Sequence, residues 1–271
     1  MSPTSPVRCA ARTLLLAAAL TASLAGLPAG LSGPARAQAL PPAPEPPPIQ
    51  SDEARLLPVL ASRGMVSSQE ARATRVGVEI LRKGGNAVDA AVAVGFAMAV
   101  TLPRAGNLGG GGFMMVHRAA AGERAADTIA IDYRETAPAA ATDDMFLNPQ
   151  GEPDRAASTR TGKAVGVPGT VRGLAEAHRR YGSGKLTLAE LIAPAEKLAR
   201  DGIPVESGLA DSLPRASGLL GQWPSSRAVF FEGDHVLPRG ATLVQRDLAD
   251  TLKAIAERGT DAFYEGPIAK K

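Results

Sequence analysis

The sequence predicts an α+β chain in which helices are layered on an antiparallel sheet. Three observations lead there. Two adjacent apolar stretches, beginning at Ser67 and at Ala87, read as helices. Behind them Phe113–His117 (FMMVH) and Thr128–Tyr133 (TIAIDY) read as the arms of a hairpin. Further helices follow, marked by capping and stop signals near 168–182, 187–202 and 247–255. Helices and a hairpin that segregate along the chain pack as a helical layer on a sheet.

The 271 residues give room for one or two domains, and 45% hydrophobic residues suffice for a globular core. Abundant Ala and Gly suit a GC-rich bacterial gene. Residues 1–37 read as a cleaved signal peptide. Arg8 and Arg12 form a positive start, and Leu14–Leu27 an apolar run short of the roughly 20 residues that span a bilayer. Ala35-Arg36-Ala37 and Ala37-Gln38-Ala39 both fit a cleavage site. The expected location is therefore exported, periplasmic or secreted, with no stable membrane anchor. Removing Arg8, Arg12 and Arg36 brings 30 basic residues to 27, equal to the 27 acidic ones. A neutral chain does not point to nucleic acid. Cys9, the one cysteine, leaves with the signal, which excludes a cysteine nucleophile or zinc thiolate. Residues 38–53, with LPPAPEPPPIQ from Leu40 to Gln50, read as a Pro-rich linker. The folded part is expected over 54–271.

Within that part, Ser67 and Glu70 have capping-box spacing, opening a helix that Gly84-Gly85 ends. Asn86 caps the next, Ala87 to about Val100, which is apolar on nearly every face apart from Asp89 and so is expected to be buried. Pro103 closes it. The polar segment Ala121–Arg124 suits the hairpin turn. Pro168-Gly169-Thr170 starts a helix ending near Tyr181-Gly182, with Pro at the helix start. Thr187 and Glu190 form a second capping box, for a helix to Arg200 that Gly202 stops. Asp247 caps a helix with Leu248, Leu252 and Ile255 on one face. Pro267 begins a last short helix.

Few residues carry chemistry by pattern alone. The run Gly106-Asn107-Leu108-Gly109-Gly110-Gly111-Gly112 lacks the third glycine of a dinucleotide loop and the Gly-Lys-Ser/Thr of a P-loop. It also follows a helix and precedes a strand, the reverse of phosphate-binding order. A backbone that packs closely is the better reading. His117, His178 and His235 have no metal-binding spacing and read as surface or strand-end imidazoles. Asp143-Asp144 reads as a loop or helix-start acid. Arg134, at the end of the second strand, has two readings. Its planar fork suits a bidentate grip on a carboxylate. Spacing alone favours an ion pair with Glu135 or Asp132.

Five blocks in order alter that balance. Asn86-Ala87-Val88-Asp89-Ala90-Ala91, the glycine run with Phe113-Met114, Asp132-Tyr133-Arg134-Glu135-Thr136-Ala137-Pro138, Val167-Pro168-Gly169-Thr170 and Ala199-Arg200-Asp201-Gly202 resemble the signature of the γ-glutamyltransferase family. The resemblance implies an N-terminal-nucleophile hydrolase, an αββα sandwich of two stacked antiparallel sheets between helical layers. It implies a precursor that cuts itself into large and small subunits, the first threonine of the small subunit being the nucleophile. No metal or cofactor is implied. The family arginine that binds the substrate α-carboxylate falls on Arg134.

No Thr-Thr-His cleavage site occurs in these residues, and Thr170 belongs to the Pro-Gly-Thr block. The expectation is an incomplete large subunit with no catalytic residue of its own. The implied activity is transfer of the γ-glutamyl group of glutathione or related amides to water or amino acids. The alternatives are a cephalosporin or glutaryl acylase of the same fold, and a truncated, non-catalytic γ-glutamyl-binding protein. An isolated chain of this extent is expected to aggregate or pack loosely, because the helix Ala87 to Val100 has too little to pack against.

Overall fold

A computed structural model describes residues 58–270. The expected signal peptide, the expected Pro-rich linker and the expected start near Ala54 lie outside the described residues. Helix α1, Ala71–Arg82, begins at Glu70, whose carboxylate accepts from the N–H groups of Arg72 (2.8 Å) and Ala73 (2.9 Å). The expected Ser67–Glu70 box is thus corrected. Glu70 reaches two orphan donors by itself, while Ser68 donates to the Glu70 carbonyl. The glycine stop holds. Gly84 takes φ +92°, its N–H bonds Leu81 and that of Gly85 bonds Ile80, which satisfies the last carbonyls of α1.

Helix α2, Ala87–Thr101, opens on a complete capping box. The Asn86 side chain accepts from Val88 and Asp89 N–H, and the Asp89 carboxylate accepts from Asn86 N–H at 2.9 Å. Val92, Ala93, Phe96, Ala97 and Val100 are fully buried. The helix is enclosed by α1, by α4 (Thr170–Tyr181) and by α5 (Leu188–Asp201), and α5 in turn packs on α8 (Arg246–Arg258). The expectation that α2 lacks neighbours is therefore corrected: Leu174, Leu191, Ile192 and Ala195 supply the apolar cover. Each leucine or isoleucine side chain so removed from water contributes roughly 1.5–3 kcal/mol.

Strands β1 (Phe113–Arg118) and β2 (Asp127–Asp132) pair antiparallel, with Phe113 opposite Asp132 and Arg118 opposite Asp127. The turn closes through paired backbone bonds between Ala121 and Arg124, where Gly122 takes φ +57°. Alternation splits the hairpin into two faces. Val116 is buried, and Met114 and Ile131 pack on the helical core. Phe113 and Met115, on the opposite face, are 65% and 68% exposed.

After the hairpin come a short helix α3 (Arg155–Arg160), a 3-10 turn (Gly162–Ala164), and α4. Gly169 occupies the N-cap of α4, so Pro168 stands before the helix rather than in its first turn. The Thr187–Glu190 capping box of α5 is present, and Gly202 ends that helix at φ +88°. A smaller apolar cluster follows, built where β3 (Ile203–Pro204) pairs with β6 (Thr242–Leu243). Between them lie α6 (Ser207–Leu220), α7 (Pro224–Phe230) and the paired β4 (Phe231–Glu232) and β5 (His235–Val236). These pairs are too short for a period-2 signal. Helix α8 starts at Gln245, not at Asp247, which sits one position inside the first turn. The Gln245 side chain instead donates to the Val100 carbonyl at 2.8 Å, tying α8 to the end of α2. Helices α9 (Asp261–Tyr264) and α10 (Pro267–Lys270) follow. No helix among the described residues is long and apolar enough to cross a membrane.

The expectation for His178 is corrected. Its side chain is only 15% exposed, and Nδ1 lies 3.1 Å from Oδ1 of the fully buried Asp89. Asp89 also accepts from Ser183 N–H at 3.0 Å. Burial pushes the Asp89 carboxyl up, but hydrogen bonds from Ser183, Asn86 and His178 outweigh it and hold the group below its ordinary value. A carboxyl depressed in the fold stabilises fully above its unfolded value, about 4, and loses that contribution as pH falls through the folded value. Asp89→Asn is expected to cost roughly 2 kcal/mol, since it removes the charge from buried donors. It should also weaken the loss of stability below about pH 4. Denaturant unfolding of the complete protein across pH checks this, and equal acid sensitivity in parent and variant would contradict it.

Candidate functional site

The glycine run between α2 and β1 is a packing device. A Cβ on Gly106 would run into the Met98 carbonyl, and one on Gly111 would lie 2.8 Å from the Cα of Arg134. Gly112 exchanges both backbone bonds with Tyr133, at 3.0 and 3.3 Å. The Gly110 carbonyl accepts from Gly169 (2.8 Å) and Thr170 (3.0 Å), which holds the start of α4. On the other side, Thr136 and Val167 exchange backbone bonds at 2.8 and 3.3 Å. Tyr133-Arg134-Glu135 is thus pinned on both flanks by backbone that needs no side chain. The close-packing reading agrees with this geometry at Gly106, Gly110, Gly111 and Gly112, whereas a Cβ on Gly109 would meet nothing within 4 Å.

Arg134 emerges from that clamp with its side chain 67% exposed. Its N–H donates to Asp132 Oδ1 at 3.0 Å, and Nε stands 3.7 Å from Glu135 Oε2. The separation exceeds hydrogen-bonding distance, so the Glu135 pair is loose, and an exposed pair of that kind contributes about 0–1 kcal/mol. Arg134 lines an open cleft of about 610 Å³ whose walls also include Tyr133, Arg172, Glu176, Arg179 and Tyr264. That volume suits a small-molecule site. Arg179 makes two hydrogen bonds to Glu176 (2.8 and 2.6 Å), which hold the Glu176 carboxyl below its usual range. Burial raises the Tyr133 phenol. Burial also raises the Tyr264 phenol, against the opposing hydrogen bond from Arg172 N–H.

Sequence reading nominated Arg134 and missed Arg172 and Tyr264. Arg172 is one of many helix-surface arginines, and Tyr264 reaches it from 92 residues away. Periodicity carries no signal of such a meeting. His117 lies on the bare face of β1, with Nδ1 2.9 Å from Thr128 Oγ1, and His235 is exposed in β5. Asp144 accepts from Thr142 in a turn. None of these joins the cleft. Among the described residues no group of three or more His, Cys, Asp or Glu is arranged to hold a metal ion.

A family model described as Gamma-glutamyltranspeptidase matches residues 73–271. The glutathione hydrolase proenzyme of Escherichia coli (strain K12) is 50% identical over 236 residues, 87% of this chain and 39% of that protein. The chain therefore spans about two fifths of that relative's length. The crystal structure of Helicobacter pylori gamma-glutamyltranspeptidase superposes with a TM-score of 0.74 at 40% identity, covering 79% of this chain and 60% of that one. The cephalosporin acylase from Bacillus halodurans superposes at 0.64 with 25% identity, over 85% of this chain and 42% of that one. The hairpin with its helical cover is thus the matching part of an N-terminal-nucleophile fold, and the chain belongs to the gamma-glutamyltranspeptidase family.

Proposed function

We propose that the complete protein is an exported γ-glutamyltransferase, or glutathione hydrolase, and that Arg134 holds the α-carboxylate of its donor. The observation that carries the reading is a loosely paired, exposed arginine on a pinned strand end that lines an open cleft. A planar fork on a fixed backbone suits bidentate binding of a carboxylate. The 50% identity to a glutathione hydrolase proenzyme favours this over an acylase, whose similarity is lower.

The nucleophile of the proposed reaction is the N-terminal threonine of a small subunit supplied by the same precursor, outside these 271 residues. Its hydroxyl oxygen attacks the γ-carbonyl carbon while its own α-amine takes the proton. The C–N bond of the amide breaks, and the amine leaves with that proton. Water or an acceptor amine then attacks the γ-glutamyl ester and frees the threonine. Arg134 acts by positioning: it fixes the glutamyl end so that the γ-carbonyl meets the nucleophile repeatedly in one geometry. The exposed face of β1 that carries Phe113 and Met115 is where the second sheet of the sandwich stacks, and its cover removes an apolar patch from water. We assign residues 1–37 to a signal peptide, 38–53 to a tether and 54–271 to the large-subunit part.

In the complete enzyme, Arg134→Ala is expected to raise KM for γ-glutamyl donors by about a hundredfold or more, since two hydrogen bonds to a charge are lost at roughly 1.5–3 kcal/mol each and about 1.4 kcal/mol is tenfold. Self-cleavage should persist. Arg134→Lys should also bind poorly, because an ammonium lacks the fork. Steady-state kinetics with a γ-glutamyl anilide check this, and unchanged KM overturns the assignment. Faster turnover of a glutaryl amide than of the γ-glutamyl anilide would favour the acylase. The exported protein should begin at Gln38 or Leu40, read by N-terminal sequencing. Retention of Met1 in the exported form would contradict the signal-peptide assignment.

A further inference from the structure

The cleft that holds Arg134 contains a second cation that the proposed reaction does not use. Arg172 is the third residue of α4, and its N–H is capped by the Tyr264 hydroxyl at 3.2 Å. Its guanidinium carbon lies 4.5 Å from the centre of the Tyr264 ring, a stacked cation–π arrangement. The tyrosine thus fixes the arginine twice, through its backbone and through its side chain. The side chain remains 62% exposed, and its one ion pair, with Asp261, is long at 3.9 Å.

The other charges of the cleft are differently occupied. Arg179 is held by two short bonds to Glu176, and Asp132 accepts the Arg134 N–H. Glu135 stands 3.7 Å from Arg134. Among the described residues neither Arg134 nor Arg172 makes a side-chain hydrogen bond to a carboxylate. Two arginines that line one cleft, neither bonded to a carboxylate among the described residues, fit a ligand with two carboxylates rather than one. A tripeptide-sized ligand spans about 10 Å when extended, at roughly 3.3–3.6 Å per residue. The volume of the cleft accommodates it.

We propose that Arg172, braced by Tyr264, is a specificity-determining residue that grips a second carboxylate at the far end of the donor. It would select γ-glutamyl peptides with a free C-terminal carboxylate, such as glutathione, over γ-glutamyl amides that lack one. This rests on the reading that Arg134 holds the glutamyl carboxylate. Because Arg172 is a surface residue of the first turn of α4, its truncation leaves the core intact. Arg172 acts on binding, not on the reacting atoms, so its effect belongs in KM with kcat preserved.

The test uses the complete, processed enzyme with three donors: glutathione, its C-terminal ethyl ester and a γ-glutamyl anilide. In the parent enzyme, esterification should raise KM about tenfold. Arg172→Ala should raise KM for glutathione about tenfold, leave the ester and the anilide within twofold, and abolish the difference between acid and ester. Arg172→Gln, which keeps a polar side chain but lacks the charge and the fork, should behave alike. A parent enzyme indifferent to esterification, or an Arg172 variant that alters all three donors equally, overturns the proposal. Arg134→Ala separates the two layers: if it moves no donor, the underlying reading fails. If it moves all three while Arg172→Ala moves none, only the second grip fails.

Discussion

A single buried carboxylate organises this molecule. Asp89 is fully shielded from solvent, yet it sits among donors: the Asn86 N–H at the start of α2, the Ser183 N–H beyond α4, and the His178 ring. The arrangement follows from two elementary constraints. A buried anion is costly unless hydrogen-bonded, and the N-terminus of a helix offers unsatisfied N–H groups with a favourable dipole. Asp89 satisfies both while joining the start of the central helix to the end of α4. Asn86 adds to the joint by donating to the Tyr181 carbonyl at 2.8 Å. The ends of two helices are thereby fixed to each other before any apolar packing is counted.

The position of Arg134 depends on that joint at one remove. Helix α4, fixed at its C-terminus by Asp89, is fixed at its N-terminus by the Gly110 carbonyl. Between these anchors it presents Arg172 on one side, and it presents Gly173 to the Tyr133 ring on another. A Cβ at Gly173 would collide with that ring. The end of β2 is consequently gripped by the glycine run, by the strand-like segment at Val167 and by α4. A loosely paired arginine on a rigid mount leaves only its own side chain to be ordered by a ligand, because the backbone beneath it is already fixed.

Much of this was legible in the sequence, and the failures are physically instructive. The Asn86 cap, the Thr187 capping box, the Gly84 and Gly202 stops and the pairing of the hairpin arms were readable because each rests on neighbours within a few residues. The all-apolar character of Ala87–Val100 correctly implied burial. It did not show that α4 and α5 would bury it, so the expectation of a helix without neighbours failed. Local pattern misled at Ser67 and Asp247. In each case a longer side chain nearby took the place at the helix start: Glu70 capped α1 directly, while Gln245 reached across to Val100. His178 and Asp89 are 89 residues apart, so their bond carries no local signature. Arg134 was readable only as one of two alternatives from spacing, and the resemblance of the five blocks is what pointed to a ligand-binding role. Arg172 and Tyr264 stayed invisible because nothing but the fold brings them together.

The central claim is that these residues belong to a self-processing γ-glutamyltransferase whose nucleophile lies on a second polypeptide. The most direct measurement is the intact mass and N-terminal sequence of every band in the protein purified from its natural source. The account expects two polypeptides in equal amount, one containing the residues described above and one beginning with threonine. A single polypeptide ending at Lys271, with no threonine-initiated partner, would contradict it and leave a carboxylate-binding protein without a catalyst.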